Sequence, residues 1–409
     1  MRGPFSISSR LTISLLSSGY VRAVSLPGCQ LTGAPQQKTL NNVHTGQLSV
    51  PGSPFGLVYA SQEDTAFVSL DISLVNSTLG VLNTSTFTPT LINQVPLQAG
   101  HTNSEGALGI TLTHDGRHVL ASAGPGSFVV DVARAVAGSP DAVVGALNGS
   151  VGPQMPGVTA IEVTVTLDDE YAFVSQEYGS TQTGNRGDID VFKLHRPSAN
   201  GSVSGTAIGY LTLGYEVVGT VLSPDGSILY ATSENTARAG TTNVTTLGSL
   251  SIIDVETLKT DPSNALVSNV TAGCQPVRNI VSSDGKVVWL TARGSNHLLA
   301  FNASKLVSDP DDALLASVEV GTSPVGLTFA RNESRILTAD SNRFNYTNAT
   351  TGLSVVDVDA ALSGKPAVLG RIPTGLFPRE FAASPNGNTI LVADNESNEV
   401  QVIDVSTLP

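Results

Sequence analysis

The stretch that decides the fold closes the chain. It runs Phe377-Pro378-Arg379-Glu380-Phe381-Ala382-Ala383, then Ser384-Pro385-Asn386-Gly387, then Ile390-Leu391-Val392-Ala393, then a polar loop, then Val400-Gln401-Val402-Ile403-Asp404-Val405. Each apolar run is short, rich in β-branched residues and bounded by turn formers, which reads as strand rather than helix. The same phrase recurs six more times toward the N-terminus, its first strands entering near Pro54, Ala107, Val158, Val217, Val277 and Val325, with Arg379 opening the last copy. The first hairpin turn reappears as His114-Asp115-Gly116, Ser223-Pro224-Asp225-Gly226 and Ser283-Asp284-Gly285. Asp-Gly and Asn-Gly supply the positive φ that such turns need. The third strand reappears as Phe128–Val132, Leu250–Val255 and Leu353–Val358.

A period of roughly 50–60 residues belongs to propeller blades. A fourth strand precedes most restarts, as at Leu315–Gly321 before Pro324. After Val405 only Ser406, Thr407, Leu408 and Pro409 remain, too few for a fourth strand in the seventh blade. Thr45-Gly46-Gln47-Leu48-Ser49-Val50-Pro51-Gly52 reads like the missing piece. Pairing it with the three C-terminal strands removes an open sheet edge. The expectation is an all-β, seven-bladed propeller with four-stranded blades, spanning residues 45–409 as one unit, its last blade closed by an N-terminal strand.

Composition agrees with that reading. Charged residues make up only 13 %, glycines number 40, and no long amphipathic helix pattern occurs. A net charge of -13 without a basic patch argues against nucleic acid or anionic membrane as partner. Arg2 and Arg10 ahead of Leu11–Leu16, with Ala23-Val24-Ser25 after it, read as a signal peptide over residues 1–25, followed by an N-terminal extension over 26–44. Asn76, Asn83, Asn148, Asn200, Asn243, Asn269, Asn302, Asn332, Asn345, Asn348 and Asn395 each begin Asn-x-Ser/Thr. Together they favour a secreted glycoprotein. The two cysteines, Cys29 and Cys274, are expected to pair in such a compartment, with two free thiols as the alternative. No zinc-ligand spacing, glycine-rich phosphate loop or GxSxG elbow is present, so no metal or cofactor is expected.

The candidate site is the mouth of the central channel, where the loops entering each first strand meet the loops between second and third strands. Entry loops bring His101, Glu105, Glu216, Gln275, Arg278, Phe377, Arg379 and Glu380, with Phe55 in the first blade. Second-to-third loops bring Glu177, Tyr178, Glu234, Arg293, Asn342 and Arg343, and three of them are long: 176–188, 233–248 and 340–352. Arg278 and Arg379 hold equivalent places in two blades, so they either bridge blades through acidic partners or stand free to hold an oxyanion or carboxylate. Glu380 and Glu177 are rim charges or, with a pKa raised by burial, proton donors. His101 is a surface-loop residue or a proton-transfer group. The recurrent Asp131, Asp254, Asp357 and Asp404 read as turn caps.

Ser384-Pro385-Asn386-Gly387, Val392-Ala393-Asp394-Asn395 with Ser397-Asn398-Glu399-Val400, and Val402-Ile403-Asp404 resemble the YVTN-type and lactonase-like seven-bladed propellers. The resemblance runs from Gly46 to Pro409 and implies the fold. It carries no site residue across, because the shared motifs are the turns and strands every blade needs. With its signal segment, sequons and two cysteines, the chain also looks like secreted fungal propellers of secondary metabolism, among them hetero-Diels–Alderases that join a tropolone- or phenol-derived quinone methide to a terpene alkene. That likeness implies a small molecule in the channel, Arg278 and Arg379 on a developing oxyanion, and Glu380 or Glu177 moving a proton. Phe55, Tyr178 and Phe377 would form the walls, with Glu216, Gln275, Asn342 and Arg343 as further substrate contacts. A lactonase-type hydrolase and a non-catalytic binding propeller are the alternatives.

Overall fold

A computed structural model describes residues 24–30, 32–61, 64–73, 76–97, 107–149, 160–195, 201–237 and 246–409. Most of the expected signal segment, His101, Glu105, Val158, Asn200 and Asn243 lie outside the described residues. Seven four-stranded antiparallel sheets follow one another along the chain. Their first and last strands are Ser53–Tyr59 and Thr90–Leu97 in blade 1, Ile110–Leu112 and Val143–Asn148 in blade 2, and Ala160–Val165 and Ser204–Thr212 in blade 3. Blade 4 runs from Tyr215–Leu222 to Leu266–Cys274, blade 5 from Pro276–Val281 to Leu314–Glu319, and blade 6 from Pro324–Ala330 to Val368–Ile372. Blade 7 has Pro378–Ala383, Thr389–Asp394 and Glu399–Asp404, and takes its fourth strand from Thr45–Ser49. The closing register sets Thr45 opposite Ile403 and Ser49 opposite Glu399.

The turn chemistry acts as read: Gly116, Gly226, Gly285 and Gly387 sit at φ 71°, 73°, 70° and 71°. The third strands end one residue earlier than expected, at the recurrent Asp, because this last strand residue also caps a helix or turn. Asp131, Asp254 and Asp357 accept hydrogen bonds from the backbone N–H groups of Arg134, Thr257 and Ala360, and so start the short helices Val132–Val136, Val255–Thr260 and Val358–Leu362. Asp404 accepts the Ser406 N–H in the same way at a turn.

Apolar packing lies between blades rather than within them. Seven clusters each join two adjacent blades, such as Phe67, Leu79 and Val81 of blade 1 with Val119, Ala121 and Val130 of blade 2. Buried second-strand hydroxyls add bolts across the joins: Ser69 donates to Leu108 O at 2.5 Å, Thr232 to Val277 O at 2.6 Å and Thr291 to Val325 O at 2.5 Å. The approach is tight there. A Cβ on Gly326 would sit 1.8 Å from the Arg379 carbonyl oxygen, so only glycine fits.

Candidate active site at the channel mouth

Strand registers align the seven first strands, and two successive positions of that alignment build the site. The first is Phe55, Leu108, Ile161, Val218, Val277, Val325 and Arg379. Six of these are apolar and, with Phe377, form one buried cluster around the channel. Arg379 is the exception. Phe377, two residues earlier and held at φ 52°, supplies the apolar contact that the seventh blade would otherwise lack. The next position reads Gly56, Gly109, Glu162, Gly219, Arg278, Gly326 and Glu380, so three charged side chains stand among four glycines.

Those three charges join across the channel. Arg278 Nε lies 2.6 Å from Glu380 and 3.2 Å from Glu162, and its Nη1 donates to Val218 O at 2.7 Å. One guanidinium thus ties blades 3, 4 and 7 to blade 5, and its two carboxylate partners both stand on blades that are not its neighbours. Burial works against the Arg278 charge, but Glu380 and Glu162 more than offset it and its pKa rises. Burial pushes the Glu162 carboxyl up to about 8, against the pull of Arg278 and with the push of Glu380. Two half-buried carboxylates facing one cation make protonation of one of them the less costly state.

Arg379 behaves differently. It has no carboxylate partner within ion-pair distance among the described residues, and its Nε is buried without a hydrogen bond. Its guanidinium instead lies 3.9 Å from the Phe55 ring centroid and 4.9 Å from that of Phe377. Burial, then the guanidinium groups of Arg278 and Arg343, draw its pKa down to about 9, with Glu380 offsetting part. At neutral pH it is still a cation.

Above this floor opens a cavity of about 310 Å³, bounded by Phe55, Ile161, Val218, Val277, Arg278 and Arg379 below and by Asp71, Glu177, Tyr178, Glu234, Arg293, Arg343 and Asn395 around its wall. Wall and floor come from the two expected sets of loops. Glu234 and Arg293, both buried, pair with each other. Glu177 bonds Tyr178, a partly exposed residue whose hydroxyl pKa is raised by partial desolvation and by the nearby carboxylates. Arg343 lies 5.8 Å from the Phe377 ring. Burial also raises the pKa of Asp71, one of whose carboxyl oxygens has no hydrogen-bond partner.

Of the expected residues, Phe55, Glu177, Tyr178, Arg278, Arg343 and Arg379 line this cavity, and Phe377 packs in its floor. Glu380 belongs to the ionic bridge. Glu216 stands behind Glu234, accepts a bond from the Asn235 amide, and has its pKa raised by burial and by Glu234. Gln275, at φ 52°, uses its carbonyl to accept the Arg293 N–H, and Asn342 folds its side chain onto the backbone of Tyr346. Neither borders the cavity. Asp71 and Glu162 escaped the sequence reading: each is a single acid in an alternating strand, where the default is a solvated face. Aligning Glu162 with Arg278 and Glu380 by blade position is the signal that would have found it.

The Cys29–Cys274 disulfide is formed, with Cα atoms 5.1 Å apart. The sequon asparagines Asn148, Asn269, Asn332, Asn345 and Asn348 are exposed. Asn302 caps a helix, Asn83 holds its own loop, and Asn395 donates to Pro54 O at the cavity edge. No group of three or more His, Cys, Asp or Glu side chains placed to hold a metal occurs among the described residues. No helix among them is long and apolar enough to cross a membrane.

A family model described as Lactonase, 7-bladed beta-propeller, matches residues 311–407. No curated protein sequence matches the chain. Among solved structures, hydrazine synthase from Kuenenia stuttgartiensis is similar at TM-score 0.61 and 16% identity over 90% of this chain and 99% of that one. A chain of a mitotic checkpoint complex is similar at TM-score 0.62 and 14% identity, covering 98% and 99%. A β-propeller domain from Myceliophteria thermophila is similar at 0.60 and 10%, covering 89% and 100%. Identities this low speak to architecture alone. The chain is a seven-bladed β-propeller with a lactonase-type propeller pattern over residues 311–407.

Proposed function

We propose that the mouth is the active site of a cofactor-free enzyme acting on a small oxygenated molecule. The reaction is an intermolecular hetero-Diels–Alder addition of a quinone methide, made from a tropolone- or phenol-type alcohol, to a terpene alkene. The observation that carries this reading is Arg379, a guanidinium without an acidic partner among the described residues, in an apolar ring that opens on a cavity. A half-buried cation without a counterion among the described residues suits an oxygen that gains negative charge during reaction. To form the quinone methide, an acid protonates the benzylic hydroxyl, which leaves as water, while the ring hydroxyl gives up its own proton. Asp71, whose pKa burial raises, is placed to supply the first, and Glu177 to accept the second. Cycloaddition then forms one C–C and one C–O bond, with Arg379 on the oxygen and the apolar floor holding the alkene beside it.

A lactonase-type hydrolysis is the second reading, favoured by the family match at residues 311–407. There Arg379 would hold the lactone carbonyl oxygen and Glu177 would activate water. Incubation with a quinone-methide precursor plus alkene, and separately with a panel of lactones, distinguishes the two. Adduct formed above the spontaneous rate supports the first, acid release supports the second, and neither one leaves a binding propeller. The protein is assigned to the secretory pathway, a reading supported by the disulfide and the exposed sequon asparagines. A mass shift on enzymatic deglycosylation tests it.

A further inference from the structure

Between Cys29 and the closing strand Thr45–Ser49, the N-terminal segment crosses the mouth side of blades 5 and 6. The disulfide fixes it to Cys274, directly before the first strand of blade 5. Gln30 N–H then donates to Gly294 O at 2.7 Å, inside the short turn Arg293–Ser295. That turn lies against the disulfide, since a Cβ on Gly294 would be 2.8 Å from Cys274 Sγ. Asn296 Nδ2 donates to Thr32 O at 3.0 Å, and Ala34 N–H to Thr322 Oγ1 at 2.8 Å. Gln36 Nε2 donates to Asn348 O at 2.5 Å, in the long loop that carries Arg343. Gly33 presses on the same loop so closely that a Cβ there would be 2.9 Å from Ala349 Cβ. Farther on, Lys38 and Leu40 bond Arg371 on the outer strand of blade 6.

The mouth's four guanidinium groups therefore have two kinds of support. Arg278 and Arg379 stand on first strands within the sheets. Arg293 and Arg343 stand on a turn and a loop whose backbone the segment grips. We infer that the disulfide-anchored segment is the positioning element for Arg293 and Arg343, so that the complete mouth exists only in the oxidised protein. Loops lacking such contacts open at low free-energy cost, whereas sheet positions open only with the blade. The consequence for ligand binding rests on the mouth being the active site, but loop opening is measured without a ligand and stands apart from that reading.

The experiment compares native protein with Cys29→Ser and with Gly33→Val, which keeps the disulfide and wedges the segment off the blade 6 loop. Hydrogen exchange and phenylglyoxal labelling of arginine are followed by mass spectrometry. Exchange in residues 293–296 and 341–351, and labelling of Arg293 and Arg343, should rise about tenfold in both variants, with residues 118–131 unchanged. Unchanged exchange and labelling at those loops in either folded variant would overturn the inference. So would a uniform loss of protection across all blades, which would make the segment a general clasp.

Discussion

Arg379 occupies a ring position that six other blades fill with apolar side chains, and its lack of an acidic partner among the described residues separates it from Arg278. Arg379 stands half-buried among apolar side chains, so exchanging it for a well-packed apolar side chain removes the cost of desolvating a charge. Arg379→Leu is therefore expected to leave the chemical-denaturation midpoint equal or higher, while turnover drops by about 10²–10³-fold, the usual loss when an oxyanion donor is removed. Arg278→Met has the opposite character, because it strands Glu162 and Glu380 in the channel without their cation. Equilibrium unfolding of that variant should show a loss of about 3–5 kcal/mol. Equal effects of the two substitutions on stability would contradict the division of roles.

Hairpin turns and recurrent third strands were legible because four blades repeat each of them with residues of fixed meaning: Asp-Gly or Asn-Gly for the turn, Asp for the cap. The short helices were not, since Val132–Val136 and Val358–Leu362 are too brief for a periodic pattern and become helical through the Asp that precedes them. Asp254→Ala should destabilise the protein by about 1 kcal/mol through loss of the cap on Val255–Thr260, measurable as a lower urea midpoint. The site was legible only in part. Arg278, Arg379 and Glu380 stood out as departures from the blade repeat, whereas Asp71 and Glu162 depend on surroundings supplied by segments far away in sequence. Ile161-Glu162-Val163 alone reads as an ordinary strand with one wet face, and only closure of the ring brings Glu162 to Arg278.

Across the whole molecule, buried carboxyls set the response to pH. Burial raises Glu162 and Asp188 to about 8 and Asp340 and Asp394 to about 7, in each case above the unfolded value. The folded protein then holds protons that the unfolded chain has released, so stability is full below the unfolded values and falls as pH rises through the folded ones. At the acid end, Asp115, Asp168, Asp225 and Asp284 have lowered pKa values, and their contribution is lost as pH drops below about 4. Thermal unfolding should thus give its highest midpoint near pH 5 and decline toward pH 8, with Glu162→Gln and Asp188→Asn flattening the decline. A midpoint that rises between pH 5 and pH 8 would contradict the assigned burial. The same closed ring gathers the departures from the repeat at one mouth, and the claim that this mouth is catalytic meets its most direct test in product stereochemistry. With a quinone-methide precursor and a terpene alkene, native protein should yield predominantly one stereoisomer, whereas Arg379→Leu and buffer alone give the spontaneous mixture. Identical yield and isomer ratio in all three would contradict it.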